Sequence, residues 1–225
     1  RAGAAYMTAM TRFPEFRFRG RRLACLRAEK LVFAELDLAF ANGEAVVLEG
    51  ANGSGKSSLL RLLAGLLAPS AGDAEWQGEA ACRYLGHGDA VNPALSGREA
   101  LDFWRRLWGG DAAAVAPALA AFDLMPVADV PARMMSAGQR RRLALARLAL
   151  VPAPVWLLDE PTIGLDSAAR AALERALAGH LAAGGAAVLA THVPIAVPSA
   201  SHLSLDAFRP DMAAILAAAG ERPAA

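Results

Sequence analysis

Lysine is almost absent from this chain: of 23 basic side chains, only Lys30 and Lys56 are not arginine. A position that keeps lysine against such a bias needs a compact ammonium rather than a planar guanidinium. Cysteine is equally scarce. Cys25 and Cys82 form no CxxC pair, so both are expected to be small apolar residues of a reducing compartment. Charge of one sign is missing as well: the formal net charge is +1, and no global field recruits nucleic acid or a membrane surface. Nor is there a run of about eighteen apolar residues free of charge, the length a membrane span requires. The most apolar stretch, residues 186–197, is cut by His192 and Pro194. Any work at a membrane is therefore expected to go through another chain.

What is present is a chain of 225 residues, 55% of them hydrophobic, enough for one large domain or a domain with a subdomain around a substantial core. Near the N-terminus Arg12, Arg17, Arg19, Arg21 and Arg22 interleave with Phe13, Phe16 and Phe18. A basic, aromatic binding surface is one reading. The preferred one is a frayed tail leading into a first strand, so residues 1–20 are expected to be a flexible extension, with Met7 and Met10 as candidate starts. Residues 209–225, proline-bounded and alanine-rich, are expected to be a tail with a short helix.

Chemistry begins at residue 45. The run Ala45-Val46-Val47-Leu48-Glu49 reads as a buried strand and leads into Gly50-Ala51-Asn52-Gly53-Ser54-Gly55-Lys56-Ser57, then the helical Ser58-Leu59-Leu60. This is G-x-x-x-x-G-K-S in the strand, loop, helix order that a phosphate-binding loop requires. The glycines let backbone amides turn inward around phosphate oxygens, and the helix start adds its partial positive charge. Lys56 can bridge the β- and γ-phosphates of a nucleoside triphosphate, and the Ser57 hydroxyl can ligate Mg²⁺. One of the two lysines sits where the motif demands one.

A second apolar strand, Val155-Trp156-Leu157-Leu158, ends in Asp159 and Glu160. Adjacent carboxylates at a strand end point in different directions, so Asp159 can serve the metal while Glu160 acts as general base toward water. Between these motifs lies Ser136-Ala137-Gly138-Gln139, ahead of a basic and apolar run. Serine with glutamine three residues later is a capping box, and that explanation suffices for the stretch taken alone.

Together these motifs resemble the ATP-binding-cassette (ABC) ATPases. Ser136-Ala137-Gly138-Gln139 is similar to their signature, with Ala137 where glycine is usual. Ile163-Gly164-Leu165-Asp166 resembles their D-loop, and His192, after an apolar strand, their switch histidine. The resemblance implies an α/β P-loop NTPase fold: a mainly parallel core sheet, an N-terminal antiparallel β part and a helical subdomain. The cassette domain would span 21–208, with its core in 21–86 and 151–208 and its helical subdomain in 87–150. It further implies a homodimer closing head to tail on two Mg-ATP molecules. Ser136, Ala137, Gly138 and Gln139 of one copy would then contact the ATP held by Gly50 to Ser58 of the other, with Asp166 at the junction. Glu160 and His192 would organise the attacking water. Two further positions depart from the family pattern. Arg27 stands near where an aromatic residue usually stacks on adenine, and His87 stands where a Q-loop glutamine is usual.

Tyr84-Leu85-Gly86-His87, Trp76-Gln77-Gly78 and the Ser-Ala-Gly-Gln signature resemble the cytochrome c maturation, haem-export branch of the family. That branch implies an ATP-hydrolysing subunit on the cytoplasmic face of a bacterial inner membrane, peripheral to separate integral membrane subunits of the CcmB/CcmC-like type. Haem would be handled only through those partners, since the chain carries no CxxCH. The alternatives are the ATP-binding subunit of another ABC transporter, or a soluble ABC ATPase in cofactor assembly.

Overall fold

A computed structural model describes residues 12–210. The chain opens with β1 (Arg17–Arg27) and β2 (Lys30–Ala41), which pair antiparallel; β4 (Ala71–Gln77) lies antiparallel on the other side of β1. A second sheet of five strands has the order β5-β6-β7-β3-β8. It comprises β3 (Ala45–Glu49), β5 (Cys82–Leu85), β6 (Val155–Asp159), β7 (Ala186–Ala190) and β8 (Ser201–Ser204), every pairing parallel. Five helices accompany them: α1 (Lys56–Leu63), α2 (Gly97–Leu107), α3 (Val115–Ala121), α4 (Ala137–Ala146) and α5 (Ser167–Ala182). The segment 87–150 holds α2, α3 and α4 together with short 3-10 turns.

The arginine and phenylalanine alternation near the N-terminus belongs to a strand, which corrects the expected boundary at residue 20: β1 begins at Arg17. The period of two sends Phe16 and Phe18 into the core and Arg17, Arg19 and Arg21 to solvent. Phe18 packs 5.4 Å from Phe40 and 4.8 Å from Trp76, ring to ring. Across the sheet Arg19 faces Glu75 and Arg21 faces Asp73, so opposite charges stand on neighbouring strands. That pairing neutralises much of the basic face. The expected C-terminal helix lies in 211–225, outside the described residues.

The central strands are buried on both faces, as a parallel sheet covered by helices requires. On β6, Val155 and Leu157 join the core beneath α1, whereas Trp156 and Leu158 join the core that α4 and α5 complete. His180 of α5 belongs to this second side. Its ring stacks on Trp156 at 4.0 Å and 7°, and Nε2 lies 3.1 Å from the Ala186 carbonyl. Fit is tight here, because a Cβ on Gly185 would lie 2.2 Å from the ring.

Burial pushes the His180 pKa down from 6.5 to about 4. Between those values the unfolded chain holds a proton that the folded chain refuses, so stability falls as pH drops from 6.5 toward about 4. Replacing His180 by Phe is predicted to flatten that dependence. Urea unfolding at pH 7 and pH 4.5 should show the parent losing about 2–3 kcal/mol more than His180→Phe across the interval.

Candidate functional site

β3 delivers the phosphate-binding loop, and two glycines in it have no substitute. Gly50 has φ of 133°, and a Cβ there would lie 2.8 Å from the Ser54 hydroxyl. Gly55 has φ of 106°, and its Cβ would meet Val32 at 2.7 Å and Phe33 at 2.8 Å. β2 thus packs against the loop from outside. Within it, the buried Lys56 ammonium donates to the Gly50 carbonyl at 2.6 Å and the Ala51 carbonyl at 3.2 Å. No side chain caps α1 and its first turn carries no acid, so its leading amides are available to an anion. The far edge of the loop is held by Asp206, whose carboxylate accepts from the Ala51 amide at 3.0 Å.

Across from α1, the Ser57 hydroxyl donates to Asp159 Oδ1 at 3.0 Å. Tyr84, from β5, directs its hydroxyl at Asp159 Oδ2 from 3.5 Å, and burial raises its pKa. A hydroxyl and a carboxylate side by side form a hard oxygen donor set of the kind Mg²⁺ prefers.

Glu160 follows at once in a left-handed conformation, φ 50°, that only glycine adopts without cost. Its amide donates to the Ala190 carbonyl at 2.7 Å, which extends the β6–β7 ladder one residue past the strand end. The reversal turns the carboxylate toward the end of β7. There Oε1 lies 3.2 Å from His192 Nε2, and Oε2 accepts from the His192 amide at 3.3 Å. Glu160 is buried while His192 is half exposed, so the carboxylate has one open side. The Thr162 and Thr191 hydroxyls, 3.1 Å apart, tie the two following turns together.

Residues 136–139 form the capping box in full. Ser136 Oγ accepts from the Gln139 amide at 3.1 Å, and Gln139 Oε1 accepts from the Ser136 amide at 2.8 Å. Gly138 lies against residue 164, since a Cβ on it would stand 3.1 Å from the Gly164 carbonyl. Asp166 caps α5 by accepting from the Ala169 amide at 2.7 Å. His87 is exposed in the turn after β5, and among the described residues its ring makes no hydrogen bond. Arg27 lies at the exposed end of β1. Burial raises the pKa of Cys25, and the Ser58 hydroxyl and Arg27 oppose that shift. Sequence reasoning missed Tyr84, Asp206 and Arg141 of α4. A strand residue, an acid far along the chain and one arginine among three carry no local motif.

The sequence matches the ABC transporter family over residues 33–163. The chain belongs to that family. Its solved structural neighbours include an ATP-binding protein of an ABC transporter from Pyrococcus furiosus. That neighbour has TM-score 0.74 at 20% identity, covering 86% of this chain and 100% of the neighbour. A second, an ATP-binding subunit of an ABC transporter, has TM-score 0.71 at 21% identity over 92% and 95% of the two chains. These establish the fold, an α/β P-loop NTPase of the cassette type. Far more similar in sequence is the cytochrome c biogenesis ATP-binding export protein CcmA of Rhodospirillum rubrum. It is 50% identical over 204 residues, covering 86% of this chain and 88% of the relative. The protein of the same name from Paramagnetospirillum magneticum is also 50% identical, covering 85% and 94%.

Asp206 fixes one edge of the loop of residues 50–57, the candidate phosphate site. Asp206→Ala is predicted to raise the Kd for ATP about five- to tenfold, the loss of one hydrogen bond of about 1 kcal/mol. Fluorescent-nucleotide titration measures this; an unchanged Kd would remove Asp206 from the site.

Proposed function

We propose that the chain is the ATP-hydrolysing subunit of a membrane ABC complex that exports or releases haem for cytochrome c biogenesis. The observation that carries the hydrolytic role is the buried Glu160 carboxylate facing His192 at 3.2 Å, next to Asp159 and at the end of the phosphate-binding core. The biological setting rests on the names of relatives identical at half of all aligned positions.

In this reading residues 50–58 wrap the phosphates, with Lys56 leaving the Gly50 and Ala51 carbonyls to pair with phosphate oxygens. Ser57 and Asp159 would hold Mg²⁺, which would supply charge neutralisation toward the phosphates. Glu160 accepts a proton from the attacking water at its open side, and His192 keeps the carboxylate aimed. Residues 136–139 complete the site of a second copy. The amides of Ala137 and Gly138, at the positive end of α4, would meet the phosphate that the partner's loop presents. Asp166 stands behind that contact, on the turn that Gly138 touches. His87 offers an acceptor in the Q-loop position, and Arg27 a plane on which a base can stack. Separate integral membrane subunits of the cytochrome c maturation type would dock this dimer on the cytoplasmic face of the inner membrane and handle haem themselves. No helix among the described residues is long and apolar enough to cross a membrane.

Removing a general base typically costs about 10²–10⁴-fold. Glu160→Gln is therefore predicted to bind ATP and to accumulate as a dimer in size-exclusion chromatography, while turning over at least about a hundredfold more slowly. In cells that depend on this chain, the same variant should abolish haem-stained c-type cytochromes. Near-parental turnover would take Glu160 out of the role.

A further inference from the structure

Arg141 is buried to 5% exposure, yet among the described residues it has no carboxylate partner of comparable burial. Its hydrogen bonds go mainly to main-chain carbonyls, in two directions. Nη2 donates to the Glu160 carbonyl at 2.7 Å and the Asp159 carbonyl at 3.1 Å. Nη1 reaches back to the Gly86 carbonyl at 3.3 Å, the His87 carbonyl at 3.5 Å and Asp89 Oδ1 at 3.3 Å. One planar guanidinium therefore joins three segments: α4, the successive carbonyls of Asp159 and Glu160, and the turn after β5 that carries His87.

The turn is held a second time. Arg147, also buried, donates to the Ala90 carbonyl at 3.4 Å, and its guanidinium lies 4.7 Å from the Trp104 ring centroid. Burial lowers its pKa to about 10, opposed by the Asp89 charge, so it stays a cation at neutral pH. Residues 86–90 thus sit clamped by two buried arginines rather than lying free on the surface.

We propose that Arg141 is a positioning residue for ATP hydrolysis: it locks the left-handed Glu160 peptide and couples it to α4 and to the turn after β5. The inference deepens the function proposed above and rests on Glu160 as general base. Glu160 has three backbone ties: its amide donates to Ala190, and its carbonyl accepts from Arg141 and, at 3.3 Å, from the Ile163 amide. Only the Arg141 tie comes from outside both the parallel sheet and the turn that follows β6. A shift of α4 or of residues 86–89 therefore reaches the Glu160 carboxylate through Arg141, while Lys56, Ser57 and the phosphate-binding loop stay as they are. Lysine cannot replace this link, because an ammonium lacks the rigid fork that bonds in two directions at once.

The test is steady-state ATP hydrolysis by Arg141→Lys, alone and combined with Glu160→Gln, with nucleotide affinity and Tm measured alongside. A small misplacement of a catalytic group can cost about a hundredfold. Arg141→Lys is expected to lower kcat at least about tenfold with KM for Mg-ATP within about threefold of the parent. Within the Glu160→Gln background it should cost nothing further, since the group it positions is already gone. Parental kcat in Arg141→Lys, a parallel loss of KM and kcat, or losses that multiply in the double variant would each overturn the proposal. If Arg141→Lys does not fold, Asp89→Asn, which loosens the link from its more exposed end, carries the test. It is expected to lower kcat about threefold at unchanged KM, and parental kcat there overturns the coupling. Near-parental turnover in Glu160→Gln alone would instead reject the reading of Glu160, so the two failures are distinct.

Discussion

The site depends on the register of three neighbouring parallel strands. In the order β6-β7-β3, Ala190 of β7 lies opposite Asp159 on one side and Leu48 on the other. The Asp159 carboxylate, the start of the glycine-rich loop and the approach to His192 are thereby level with one another. A parallel sheet buried on both faces gives this alignment rigidity, because every hydrogen bond of the ladder would have to shift together. The Glu160 amide bond to Ala190 is the last rung of that ladder, and the reversal at Glu160 spends backbone strain to aim a carboxylate across it.

Two helix starts in this chain illustrate one piece of physics with opposite outcomes. The first turn of α1 has no side-chain cap, and its orphan amides are left for phosphate. In the first turn of α4, the capping box of Ser136 and Gln139 pairs two of the amides. A capped start can still exchange its serine contact for a phosphate, a stronger acceptor, when one is presented from outside. In the proposed dimer that exchange is the chemical signal of closure, and Arg141 sits one turn further along the same helix. The helix that would feel the partner's nucleotide is the helix that holds the Glu160 peptide.

Residues that act through local backbone chemistry were legible in the chain. Strands 45–49 and 155–159 stood out as apolar runs, and glycine spacing announced the loop between β3 and α1. Residues that act across the fold were not. Tyr84 reads as an ordinary strand residue, and Asp206 lies 155 residues from the amide it accepts. Arg141 hid in the run Arg140-Arg141-Arg142, which suggests a solvated helix face. Successive helical positions point about 100° apart, however, so three consecutive arginines cannot all face water on a packed helix. That geometric conflict was the available clue. The N-terminal arginines misled in the opposite sense: alternation with phenylalanine, rather than their charge, was the informative feature.

In the proposed dimer one chain is half of a working site. The most direct measurement is the specific ATPase activity of the purified chain as a function of its own concentration. Activity per chain is predicted to rise with concentration and level off as dimers saturate, with Glu160→Gln shifting dimer formation to lower concentration in the presence of ATP. Specific activity that stays constant over the whole range, with the protein monomeric throughout, would contradict a site completed by a second copy.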